Sequence, residues 1–76
     1  MTSEERVKPP SILKRIERAQ WHVKLGHALI ERQKEMIERH RAEGRDTKPA
    51  EELLAAFERS QKVFERDLAD LERRGR

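Results

Sequence analysis

Three histidines, His22, His27 and His40, and a few hydroxyls are the side chains of this 76-residue chain whose types could perform catalysis or hold a metal. Nucleophilic catalysis requires a hydroxyl held against a base, yet Ser3, Ser11, Ser60, Thr2 and Thr47 lie in no recognisable nucleophile motif. Capping and surface roles suit them better. Glu4-Glu5, Glu51-Glu52 and Glu31 with Glu35 are paired carboxylates, but acid–base work needs a pocket that drives two pKa values apart. Metal ligation on a helix needs partners three or four residues apart, the spacing that puts both side chains on one face. His22 and His27 are five apart and diverge by about 140°. Met36 with His40, and Glu43 beside His40, have usable spacing, and neither makes a strong site. The expectation is no enzymatic activity, no cofactor and no metal, with a symmetric oligomer the one route that would bring two copies of a histidine together.

Nucleic-acid binding is the next chemistry to weigh, since 18 Lys and Arg against 15 Asp and Glu give a net charge of +3. The excess sits at Lys14, Arg15, Arg18 and Lys24, and Trp21 between them could stack on a base. Interleaved Glu17, Glu31, Glu35 and Glu38 dilute the field that phosphates would feel. Glu35 with Arg39 and Glu58 with Lys62 stand at i,i+4 in the order that supports a solvated helix. Nucleic acid is therefore a disfavoured partner, kept as the alternative function.

Charged residues are 43% of the chain and hydrophobic ones 34%, a balance shared by disordered chains and by long solvated helices. Recurrence of the apolar residues at three and four positions favours helices. Pro9-Pro10 bars a helix through that point and Ser11 can cap the next one, so residues 1–10 read as a flexible segment and the first helix as 11–43. Thr2-x-x-Glu5 has capping-box spacing but is cut short by the prolines. Gly44 is the stop, 44–47 the turn, and Asp46, Thr47, Pro49 and Glu51-Glu52 open a second helix over 48–73. A turn this short forces an all-α antiparallel two-helix hairpin, coiled-coil-like in its packing.

The first helix carries two apolar stripes. One contains Ile12, Ile16, Ala19, Val23, Gly26, Ile30 and Ile37; the other contains Trp21, Leu25, Ala28, Leu29 and Met36. Each spans a band of roughly 100°, with centres more than about 120° apart, so one partner helix covers only one of them. The seam is expected to join Ile16, Val23, Gly26, Ile30 and Ile37 to Leu54, Phe57, Phe64 and Leu68. A turn pivoting near Arg45-Asp46 places Phe64 over Gly26 and Phe57 near Gln33 or Lys34, and leaves the start of the first helix with little to pack on. The second stripe, Trp21, Leu25, Leu29 and Met36, then serves a homo-oligomer, with a twofold dimer forming a four-helix bundle, or an unidentified protein partner. Acidic neighbours argue against a lipid surface for the same stripe.

Residues His22-Val23, Gly26-His27, Ile30, Arg32-Gln33, Gly44, Asp46-Thr47, Ala50, Leu53-Leu54, Phe57 and Ser60-Gln61 give the chain a likeness over roughly 17–72. It resembles a group of short, uncharacterised alphaproteobacterial proteins. That group carries no assigned activity, so the resemblance implies the helical hairpin and no site residue; Pro9-Pro10 departs from it. The chain has no cysteine, and its first residues lack the apolar run of a signal peptide. A cytoplasmic protein without a membrane span is the expectation.

Overall fold

Local signals alone delimit both helices in the computed structural model, which describes residues 11–75. The segment 1–10, read from sequence as flexible, lies outside the described residues. Helix α1 spans Ile12–Ala42 and α2 spans Lys48–Arg74. Ser11 caps α1: its extended backbone turns the hydroxyl back to accept from the Lys14 amide at 3.2 Å. At the other end Gly44 takes φ 77°, which lets its amide reach the Arg41 carbonyl at 3.0 Å and the Arg45 amide reach that of His40 at 2.8 Å. These are the two bonds of a Schellman motif, and they satisfy carbonyls that a helix otherwise leaves orphaned.

Nothing lies within 4 Å of a Cβ placed on Gly44, so its cost on substitution is conformational alone. Gly44→Ala is expected to lose about 1 kcal/mol in thermal unfolding, and Gly44→Asn less, because asparagine tolerates the left-handed region better. Equal losses for the two variants would contradict this.

Asp46 and Thr47 divide the start of α2 between them. Asp46 Oδ1 accepts from the Lys48 amide at 3.0 Å, whereas the Thr47 hydroxyl, at the N-cap position, donates instead to Glu51 Oε2 at 2.7 Å. Pro49 sits in the first turn, where a missing N–H costs nothing. Glu51 also receives Arg41 at 3.2 Å, tying the end of α1 to the beginning of α2.

The two helices pack on each other along a thin seam. Ile30 and Ile37 are its buried aliphatics, and Gln33 and Gln61 are buried with them. Both amides cross between helices. Gln33 Nε2 donates to the Ala50 carbonyl at 2.9 Å, and Gln61 Nε2 donates to the Val23 carbonyl at 2.8 Å. A buried amide that must meet one particular carbonyl specifies register in a way that interchangeable aliphatics do not.

That register differs from the expected one. Gly26 faces Gln61, not Phe64: a Cβ on Gly26 would collide with the Gln61 amide oxygen and stand 2.7 Å from its Cδ. Phe64, about three residues further along α2, stacks on His22 instead, with ring centroids 5.5 Å apart and planes 22° from parallel. The glycine does make room for a side chain, but for an amide seeking a carbonyl. The same shift carries the end of α2 to the start of α1, where Gly75 meets Ile12 and Ile16, so that region is not left bare.

Surface ion pairs follow i,i+3 and i,i+4 spacings at Glu31–Lys34, Glu38–Arg41 and Asp70 with Arg73 and Arg74. Among the described residues the expected Glu35–Arg39 and Glu58–Lys62 pairs do not form; the observed ones are exposed and contribute little each.

Candidate functional site

The two sides of the hairpin differ in chemistry, and the difference follows from helical phase. On α1, Leu29 and Met36 lie next to the seam on one flank, with Trp21 and Leu25 further out. The groove on that flank, about 380 Å³, is lined by Leu29, Arg32, Gln33, Glu35, Met36, Arg39 and Phe57. A second groove on the same flank, about 260 Å³, runs between Ala19, His22, Phe64 and Leu71, with Arg15, Arg18 and Asp67 at its rim. The opposite flank is polar: His27, Glu58, Gln61, Lys62 and Glu65 surround Ile30, and His27 stands 3.5 Å from Glu65.

Exposure shows how much of the apolar flank is uncovered. Trp21 is 60% exposed, Leu25 42% and Leu29 40%, whereas Met36 is half-buried. From α2, Leu53 at 47% and Phe64 at 38% join the same flank. Among the described residues, Leu29, Leu53 and Phe64 lie beside the seam on this flank, Leu25 and Trp21 lie progressively further round α1 and Val63 further round α2, whereas Leu13 lies toward the other flank by helical phase.

Of the residues assigned to the seam, Ile30 and Ile37 are buried, and Ile16, Val23, Gly26, Leu54, Phe57 and Leu68 are half-buried. Phe64 is exposed, at the seam's edge. The contribution of α2 to the face was hidden in the sequence because its apolar residues form one broad stripe. That breadth was the available signal: a stripe wider than one partner helix can cover has a margin facing elsewhere.

The chemistry-bearing side chains are engaged locally. The Ser11 hydroxyl caps α1, Thr47 and Glu51 bond each other, and His22 stacks on Phe64. Among the described residues no three of His, Asp or Glu converge as a metal site needs, and no helix is long and apolar enough to cross a membrane. Arg15 and Arg18, from the basic start of α1, share their groove with Asp67. The chain matches no protein-family model, no curated protein and no solved structure.

Proposed function

We propose that this chain is a small, non-enzymatic, self-associating module for protein interaction or scaffolding in the cytoplasm, working as a homodimer in which two hairpins form a four-helix bundle. The observation that carries the reading is the set of exposed hydrophobic residues Leu29, Leu53 and Phe64 beside the seam, continued round α1 by Leu25 and Trp21. A contiguous apolar patch of this kind on a soluble chain marks an interface. Energetics point the same way. Fully burying one aliphatic side chain stabilises by about 1.5–3 kcal/mol, and among the described residues Ile30 and Ile37 are the only buried hydrophobic ones. Ordering each residue's backbone costs about 1–2 kcal/mol. So slight a core needs further burial, and covering the apolar face supplies it.

Light scattering with and without oligonucleotides tests the choice between this function and the nucleic-acid alternative. The expected result is a mass at least twice that of the monomer at tens of micromolar, unchanged by duplex or single-stranded oligonucleotides at about 150 mM salt beyond weak binding of about 10⁻⁴–10⁻⁶ M. A monomer that binds an oligonucleotide selectively below micromolar concentration would replace this function with the alternative.

A further inference from the structure

We propose that self-association is proton-sensitive, with His22 as the sensor: two copies hold together while its imidazole is neutral and separate as it takes up a proton. This regulation rests on the self-associating function proposed above and requires no particular orientation of one copy on the other.

The position of the ring is what couples it to assembly. Helical phase puts His22 on the same flank of α1 as Leu29. Its imidazole stacks on Phe64 of α2, with centroids 5.5 Å apart and planes 22° from parallel. Phe64 is one of the exposed hydrophobic residues beside the seam, and both rings line the same groove of about 260 Å³. Whatever covers the phenyl ring therefore takes water from the imidazole stacked on it. In the single hairpin His22 is exposed, so water solvates its charged and neutral forms alike.

Charge decides which form the covered ring takes. The charged groups that share the groove with His22 are Arg15 and Arg18, two turns and one turn before it on α1, and Asp67 on α2. Two guanidiniums against one carboxylate leave one positive charge, and a proton on His22 would make it two. Removing water from an uncompensated cation beside two others disfavours the protonated form. The neutral ring is the one that suits a covered groove. The other histidines lack this setting: His27 lies on the polar flank, 3.5 Å from the Glu65 carboxylate, and His40 is half-buried near the turn.

The direction of the effect follows by linkage. Histidine takes up its proton between about pH 5 and 8. Since the assembled state holds fewer protons, association is strongest above that range and weakens as the pH falls through it. Each copy contributes one ring, so a dimer releases two protons as it forms.

Sedimentation equilibrium at about pH 8 and about pH 5.5, either side of the ordinary histidine titration, tests the proposal. The parent should dissociate at least about tenfold more readily at the lower pH. His22→Gln, which removes the stacked ring, and His22→Phe, which keeps an aromatic one, should each associate equally at both pH values. The double change His27→Gln with His40→Gln should keep the parent's dependence. A parent equally associated at both pH values, or a dependence that survives the His22 changes or vanishes with His27 and His40, would overturn the sensor and leave self-association in place. A parent that is already a monomer at the higher pH would overturn both.

Discussion

Gly26→Leu is expected to unfold at a lower temperature than the parent, with a loss of about 1–3 kcal/mol, even though leucine is the better helix former by nearly 1 kcal/mol. Helix propensity and packing thus pull in opposite directions, and packing wins. Any Cβ at this position runs into the Gln61 amide. The amide must then leave the Val23 carbonyl, which it now meets at 2.8 Å. A buried amide without a partner costs about 1–3 kcal/mol, and Gln61 is among the most buried side chains of the hairpin. Thermal unfolding followed by circular dichroism, at one protein concentration because association couples to folding, measures the loss. Gln61→Ala supplies the control. Combined with Gly26→Leu it should cost clearly less than the two single changes added together, since the collision disappears with the amide. Strict additivity, or a Gly26→Leu variant as stable as the parent, would mean that the glycine makes room for nothing.

The sequence disclosed what short-range chemistry decides. Ser11 announced a helix start because a hydroxyl can take the amide three residues on, and Gly44 announced the stop because the closing residue sits at φ 77°. Pro49 and Glu51 marked the opening of α2 for equally local reasons. The register across the seam was not legible in the same way. Aromatic volume opposite a glycine is a sound packing rule, but it ranked Phe64 above Gln61 by ignoring the amide's ability to bond the Val23 carbonyl. Hydropathy likewise passes over Gln33, although it reaches the Ala50 carbonyl from within the buried seam. Pairing across a turn depends on contacts far apart in sequence, and an error of one helical turn leaves every local signal intact.

The apolar face divides in the same manner. Its α1 half was readable because Trp21, Leu25 and Leu29 stand well apart in phase from the seam stripe. Its α2 half emerged only in the structure, which leaves Leu53 and Phe64 exposed. Among the side chains whose types could do chemistry, the Ser11 hydroxyl caps α1, His22 stacks on Phe64 and Glu51 pairs with Arg41.

Leu25→Glu is the change with the largest expected effect on assembly. It puts a carboxylate at the middle of the apolar face while leaving untouched Ile30, Ile37 and both glutamine bridges of the seam. Burying a charge without a partner costs several kcal/mol, enough to dissociate a contact of modest area. Because the seam alone is a thin core, the dissociated hairpin should also lose helix. Lys24→Glu, which adds the same charge at an exposed position beside the face, should do neither. Sedimentation equilibrium of parent, Leu25→Glu and Lys24→Glu at tens of micromolar, with circular dichroism on the same samples, tests self-association most directly. The predicted result is a parent and a Lys24→Glu variant of at least twice the monomer mass, and a Leu25→Glu variant that falls to monomer mass with reduced helicity. A parent that sediments as a fully helical monomer would contradict it.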